Sequence, residues 1–149
     1  MKALIQRVTS AKVVVDDKIV GEIDKGFVCL LGLEKEDTPE TSSKLLNKLL
    51  AYRIFSDADG RMNLSLDDIN GDILVVSQFT LAADTNKGLR PSFYSAAPPA
   101  VAKDLYDDFI AQLEKLAVAK NIKVQTGIFA ADMQVNLCND GPVTFMLQI

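Results

Sequence analysis

One stretch whose residue types could carry chemistry is Ser77-Gln78-Phe79-Thr80, which directly follows a short apolar run. Such a run predicts a buried strand, so the stretch would stand where the strand's hydrogen-bond ladder ends. There the backbone amides of Phe79 and Thr80 could bind a developing oxyanion while the polar side chains hold a substrate. The alternative is an ordinary strand end, at which those side chains only satisfy local backbone groups.

A second stretch, NDGPVT at residues 139–144, places Gly141-Pro142 between the last two strand-like runs. Proline cannot donate to a strand ladder and glycine has no side chain to pack, so the pair requires a bend or a contact. The composition is typical of a turn. The alternative is a cis Gly-Pro bond, whose two flanking carbonyls would face the same side and could bind an ammonium group.

The sequence contains no histidine. This removes the commonest general base, the Ser-His and Cys-His dyads, and the commonest transition-metal ligand. The run DADG at 57–60 lacks the spacing and the terminal glutamate of a calcium loop, so we predict no metal site and no cofactor. Cys29 and Cys138 lie in apolar runs outside any CxxC motif, which predicts buried, reduced thiols.

The composition bounds the class of protein. The chain has 149 residues, of which 48% are hydrophobic and 24% charged, so we expect one domain spanning residues 1–149 with its own core. No apolar run approaches the ~18 residues of a membrane helix, and the start MKALIQRVTS lacks signal-peptide features, which predicts a cytoplasmic location. The net charge of −4 argues against extended electrostatic binding to the phosphate backbone of a nucleic acid.

A long stretch without clear periodicity, residues 83–98, contains Lys87 and Arg90 beside Phe93 and Tyr94. Long loops in compact domains are commonly functional or mobile. The basic side chains could meet phosphate and the aromatic ones could stack on a base. Equally, the charges could form a solvated face and the aromatic rings could pin the loop to the core.

The elements that must position these residues follow from periodicity. Strands are predicted at 3–8, 12–15, 19–23, 26–33, 73–76, 122–126, 133–138 and 143–149. A helix beginning at Thr38-Pro39 carries the apolar positions Leu45, Leu46, Leu49, Leu50 and Ile54. A helix after Pro98-Pro99 carries Val101, Leu105, Phe109, Leu113 and Leu116. This order predicts an α+β domain, a largely antiparallel sheet or barrel with two covering helices.

Over nearly its whole length the sequence resembles the bacterial-type D-aminoacyl-tRNA deacylases. The matching motifs occur in the family's order, at residues 3–8, 53–55, 62–64, 75–81, 83–85, 87–88, 90–93, 131–135 and 139–144. Two departures stand out: Met146 replaces a frequent tryptophan, and residues 94–97 differ from the common loop sequence. Neither departure lies in a signature motif.

The resemblance implies hydrolysis of the ester bond of D-aminoacyl-tRNA by a homodimer. Gly141-Pro142, cis in this family, would reach from one subunit into the other's active site and fix the substrate's α-amino group. The side chain of an L-amino acid would then collide with the wall of the active site, so the preference for D-amino acids would come from steric exclusion. Glycine has no side chain to exclude, so the same geometry implies that glycyl-tRNA mischarged on tRNA-Ala is accepted.

The resemblance also assigns the catalytic motif to Ser77, Gln78, Phe79 and Thr80. A threonine nucleophile would need a base that this chain does not supply as histidine. The family's substrate-assisted chemistry is therefore favoured, in which the 2′-hydroxyl of the terminal adenosine takes part and backbone amides near Phe79 and Thr80 stabilise the oxyanion.

The remaining site residues come from the same resemblance. Arg7 matches the residue that braces the Gly-Pro element, and Met133 lies in a segment near the adenine pocket. Asn139 and Thr144, at the two ends of the second signature motif, complete the expected substrate-binding and chiral-selection set.

Two other functions remain open on the sequence. A dimeric nucleic-acid-binding module could use the basic and aromatic loop residues without hydrolysing anything, although the acidic charge balance disfavours it. A hydrolase of small D-amino acid esters or peptides would share the chemistry but ignore tRNA.

Overall fold

The structure is a computed structural model that describes residues 1–86 and 88–149. Lys87, one of the two predicted phosphate contacts, lies outside the described residues. The secondary-structure elements are β1 (Lys2–Val15), β2 (Lys18–Ile23), β3 (Gly26–Gly32), α1 (Pro39–Ala51), β4 (Phe55–Ser56), β5 (Met62–Leu64), β6 (Asp72–Ser77), a 3₁₀ turn (Phe79–Ala82), α2 (Pro99–Val118), β7 (Val124–Thr126) and β8 (Gln134–Gln148).

The main sheet has the strand order β2-β1-β3-β6-β7, with β8 also paired to β1. Strand β1 pairs antiparallel with β2, β3 and β8, whereas β6 runs parallel to both β3 and β7. The far ends of the sheet approach each other, since a Cβ on Gly21 of β2 would lie 2.6 Å from the carbonyl oxygen of Thr126 in β7. The predicted α+β barrel-like sheet with two helices is confirmed.

Two apolar cores occupy the two faces of this sheet. The outer core lies between the sheet and the helices and contains Phe27, Phe55 and Phe109. The inner core is enclosed by the curved sheet and is lined by small and branched side chains: Val8, Ala11, Val13, Ile23, Val28, Leu74 and Val76. Strand β6 contributes alternate residues to both cores, which explains why its sequence is a continuous apolar run.

Helix α1 begins as the sequence predicts. Thr38 and Thr41 form a capping box, in which the backbone amide of Thr38 donates to Thr41 Oγ1 at 3.2 Å and Thr41 N donates to Thr38 Oγ1 at 3.4 Å. Pro39 occupies the first turn. Its leucines at 45, 46, 49 and 50 are buried, and Ile54, which lies beyond the helix end, is buried as well.

The predicted apolar stripe of α2 is partly wrong. Val101 is 45% exposed, while Ala102 and Tyr106 are buried together with Leu105, Phe109 and Leu113. The buried arc is therefore rotated by about one position at the start of the helix. The small side chain of Ala102 permits close packing at the start of the helix. The predicted stripe counted only large apolar residues, so it did not include Ala102.

Two further expectations are corrected at β8. The predicted strands at 133–138 and 143–149 are halves of one strand that pairs with β1 on both sides of a bend. Cys138 is exposed, not buried, because Val135 and Leu137 pack against the inner core and the intervening alternate side chains point away from it. Cys29 is buried and both thiols are free.

Neither α-helix in the described part of the chain is long and apolar enough to cross a membrane.

The corrected face of α2 gives a stability prediction. Leu113→Ala should lower the free energy of unfolding by about 2–5 kcal/mol, because it truncates a fully buried side chain. Val101→Ala, the matched control on the same helix, should change it by less than about 0.5 kcal/mol. Urea denaturation followed by circular dichroism measures both. Equal losses would contradict the exposed position of Val101.

Candidate functional site

A cavity of about 480 Å³ lies at the carboxyl end of β6, bounded by the 3₁₀ turn, the start of α2 and the segment before β8. Four of the sequence-predicted site residues line it: Ser77, Gln78, Phe79 and Met133. Its lining is mostly apolar, with a few polar groups at one end, as in small-molecule sites of folded proteins. The strand end predicted to carry chemistry therefore opens into a space that can receive a ligand.

The backbone at this strand end leaves two amides without partners. Gln78 N donates to the carbonyl oxygen of Leu31 at 2.7 Å, and the next amide to find an acceptor is that of Leu81, which donates to Gln78 O at 3.2 Å. Within the described residues, no acceptor lies within reach of the amides of Phe79 and Thr80. Such unpaired N–H groups at the start of a helical turn can bind an oxyanion.

Gly32 lets the turn sit against β3. A Cβ at this position would lie 2.8 Å from Leu81 Cβ and 3.3 Å from the carbonyl oxygen of Gln78. Any side chain would push the turn away from β3 and strain the bond between Gln78 and Leu31. Sequence reasoning missed Gly32, because the end of an apolar strand gives no local signal that another backbone approaches it.

The hydroxyl of Thr80 has an amide partner, not a base. Gln78 Nε2 donates to Thr80 Oγ1 at 2.6 Å, and both side chains belong to exposed or half-buried residues at the cavity rim. A carboxamide cannot take up the proton that a hydroxyl nucleophile must lose. Cys29 is no alternative nucleophile, since burial raises the pKa of its thiol to about 12.

An exposed aromatic pair stands at the rim. The ring of Phe79 is 62% exposed, and its centroid lies 5.0 Å from that of Phe93, with the ring planes inclined by 50°. Neighbouring apolar rings held open to solvent are typical of binding surfaces. Arg90 is exposed in the same loop.

The back wall of the cavity is braced by Tyr106, which sequence reasoning also missed. Its hydroxyl donates to the carbonyl oxygen of Val75 at 3.2 Å, and Gly127 N donates to the same oxygen at 2.9 Å. Burial raises the pKa of Tyr106, so the hydroxyl keeps its proton. Its ring packs against Phe129, a cavity-lining residue, at a centroid distance of 5.6 Å. Helix α2 is thereby fastened to β6 close to Ser77.

The second signature stretch forms a bend in β8. Val8 of β1 pairs with Asn139 and Gln6 pairs with Thr144, so residues 140–143 stand opposite the single residue Arg7. Such an excess of residues on one strand is a bulge, which directs the extra residues away from the ladder. The Gly141-Pro142 peptide bond is cis, both residues are exposed, and Gly141 has a φ of +120° that favours glycine.

Arg7 holds the start of the bend. Its Nε donates to the carbonyl oxygen of Asp140 at 3.2 Å and pairs with Asp140 Oδ2 at 3.1 Å, while Nη1 donates to Ile54 O at 2.7 Å. The side chain is only 12% exposed, so these bonds are shielded from water. A Cβ on Gly141 would lie 2.9 Å from Arg7 Nη2, which leaves no room for a side chain.

Asn139 and Thr144 close the bend from inside. Asn139 Oδ1 accepts from Val143 N at 3.2 Å, and Asn139 Nδ2 donates to Thr144 Oγ1 at 3.0 Å. Gln6 Nε2 also reaches Thr144 Oγ1, at 3.4 Å. In this structure the two polar side chains hold the shape of the bend and do not point at a ligand site.

The structure thus brings the predicted site residues together in two separate groups. Val135 of β8 lines the cavity, whereas Gly141 and Pro142, further along the same strand, do not. The bend therefore forms no part of the cavity lining in its own chain. No group of three or more His, Cys, Asp or Glu side chains placed to hold a metal ion occurs among residues 1–86 and 88–149.

Comparison with known proteins finds similarity over the whole chain. The family model described as D-Tyr-tRNA(Tyr) deacylase matches residues 4–148. A D-aminoacyl-tRNA deacylase of Cellvibrio japonicus is 63% identical over 100% of this chain and 99% of its own length. One of Teredinibacter turnerae is 59% identical over 99% of both chains. The solved structure of a c-Myc DNA Unwinding Element Binding Protein is 41% identical, with a TM-score of 0.92, and covers 100% of this chain and 99% of that chain.

Proposed function

Since the chain belongs to the D-Tyr-tRNA(Tyr) deacylase family, we propose that the cavity at the end of β6 is where it hydrolyses the ester of D-aminoacyl-tRNA. The chain is an enzyme of this class, a D-aminoacyl-tRNA deacylase. The observation that carries the assignment to this cavity is the pair of unpartnered amides at Phe79 and Thr80 on its rim. The products are a free D-amino acid and tRNA.

The proposed chemistry uses backbone groups and the substrate's own ribose. Water attacks the ester carbonyl carbon, and the amides of Phe79 and Thr80 stabilise the negative charge that develops on the carbonyl oxygen. The 2′-hydroxyl of the terminal adenosine assists proton transfer as the 3′-oxygen leaves. The absence of histidine and the amide partner of Thr80 support this scheme over a threonine nucleophile.

Chiral selection is proposed to act between two subunits of a homodimer. The exposed carbonyl groups of the Gly141-Pro142 bend would bind the substrate's ammonium group in the partner's cavity, so that an L side chain meets the wall. The bend does not line the cavity of its own chain, which supports an arrangement in trans. The rigid hold of Arg7 and Asn139 on the bend supports its use as a fixed probe.

A second function is suggested by the solved relative whose name refers to DNA binding. A nucleic-acid-binding role without hydrolysis would need broad cationic surface, and the net charge of −4 disfavours it. The deacylase proposal needs only local recognition of an RNA end. It also places the protein in the cytoplasm, where aminoacyl-tRNA is made and used.

A substrate panel tests the proposed function. The purified protein should release D-tyrosine from tRNA at least about 100-fold faster than L-tyrosine, because only the L side chain meets the wall. Glycyl-tRNA should also be cleaved, since glycine has no side chain to exclude. Release of the labelled amino acid measures all three rates.

A free D-tyrosine ester is the control that distinguishes a tRNA deacylase from a hydrolase of small esters. Equal rates on the D and L substrates would refute selection by exclusion.

The role of Thr80 gives a second test. Thr80→Ala should keep deacylation within about 10-fold of the unmodified protein, because the backbone amide at this position remains. Substrate ending in 2′-deoxyadenosine should react at least about 100-fold more slowly, as expected on removing a general acid-base group. Single-turnover rates at saturating enzyme measure both. The opposite ranking would identify Thr80 as the nucleophile.

Mixed subunits test whether the bend acts in trans. Gly141→Ala would disturb the bend, because the added Cβ meets Arg7, and Gln78→Ala would disturb the cavity. If the bend serves the partner, a heterodimer of the two variants keeps one intact site and should show about half of the unmodified activity. Two different affinity tags isolate that heterodimer, and each homodimer gives the baseline. Activity no higher than the baselines would mean that the bend serves its own chain.

A further inference from the structure

Tyr94 is an exposed ring on a fixed piece of backbone. Its side chain is 82% exposed, although the turn beneath it is held on both sides. Ser95 Oγ donates to the carbonyl oxygen of Ala82 at 2.5 Å, Lys35 N donates to Ser95 O at 3.0 Å, and Ala96 N donates to Phe93 O at 3.1 Å. The exposure of Tyr94 is therefore a property of the fold and is not caused by a loose loop.

A cation is placed against this ring. Lys35 Nζ lies 3.6 Å from the centroid of Tyr94, close enough for a cation–π interaction. Lysine on one face orients the ring and leaves most of its surface open to solvent. Tyr94, with Lys35 on one face of its ring, can serve as a stacking platform for a flat group such as a nucleobase.

The platform lies one residue along the chain from the aromatic rim of the cavity. Tyr94 follows Phe93 in the chain, and Phe93 contacts Phe79, which lines the cavity. The ring of Tyr94 lines a second cavity with Lys35 and Ser95, so a ligand that leaves the first cavity past Phe79 and Phe93 reaches Tyr94 by crossing the short segment 93–95. Single-stranded RNA is bound in this way by successive aromatic side chains.

Lys44 lines the same cavity as Tyr94, but the carboxylates nearest Lys35 favour a neutral base over a phosphate beside the ring. Glu34 is paired with Lys2 at 3.1 Å and with the Met1 amine at 3.2 Å, but Glu36 is exposed beside Lys35. A phosphate near Lys35 would also face the Glu36 carboxylate. A neutral base that stacks on Tyr94 avoids this repulsion.

We propose that Tyr94, oriented by Lys35, stacks on the unpaired base that precedes the terminal adenosine of the tRNA substrate. The inference rests on the proposed function, which puts the terminal aminoacyl-adenosine in the cavity beside Phe79. It extends the site by one nucleotide along the RNA and assigns that nucleotide to residues that the two signature motifs do not contain.

Two substrates of different length test the platform. Tyr94→Ala should lower kcat/KM for D-tyrosyl-tRNA by about 5- to 100-fold, mainly through KM, as is usual for loss of a base–aromatic stack. The same variant should cleave D-tyrosyl-adenosine, which lacks the preceding nucleotide, at the unmodified rate. Tyr94→Phe keeps a stacking ring and should retain activity on both. Leu89→Ala, at a fully exposed position of the same loop, is the matched control and should change neither rate.

The outcomes separate the platform from the proposed function. Equal losses of Tyr94→Ala on both substrates would mean that Tyr94 supports the cavity itself, and no loss on either would mean that the ring is unused. Both results overturn the platform while leaving the deacylase intact. If the unmodified protein cleaves neither substrate, the proposed function fails and the platform fails with it. Thermal unfolding of each variant confirms that the exposed substitutions leave the fold unchanged.

Discussion

The site depends on strand β1, which is paired along both edges. One edge carries β2 and then β3, and the other carries β8 over almost the full length of β1. Through β3 and β6 this pairing fixes the strand end that opens into the cavity. Through β8 it fixes the bend, because Arg7 projects from β1 to hold Asp140. A single strand thus sets the positions of both groups of candidate site residues, which stay separate within one chain.

Much of the fold follows from local sequence. The apolar run of β6, the capping box of α1 and the turn residues between β1 and β2 each specify their own structure, and Asp16 and Asp17 adopt the positive φ angles that such a turn requires. The sequence prediction fails where tertiary packing determines which residues are buried. The arc of α2 that faces the core includes an alanine and a tyrosine, and Cys138 is exposed because its strand has the inner core on one face only.

The sequence predicts the motif residues of the candidate site, but it does not predict the residues that hold the cavity in shape. One cavity is lined by four residues that the sequence motifs assign to the site: Ser77, Gln78, Phe79 and Met133. Gly32 and Tyr106 hold that cavity in shape through a close backbone approach and a buried hydroxyl. Both contacts join elements distant in sequence, so no local pattern indicates them. Asn139 and Thr144 belong to the second signature motif, but the motif does not indicate that their side chains bond to each other and fix the shape of the bend.

The bend in β8 separates two stretches of ladder that are each fixed by their own pairing with β1. Because the strand recovers its register at Thr144, residues could be inserted or deleted between Asp140 and Val143 without shifting either half of the barrel. The reach of the bend can thus diverge among descendants of one ancestral gene while the scaffold stays constant. Under the role proposed for the bend, stereochemical stringency would be an evolvable trait, adjustable by small changes in the length of one surface protrusion.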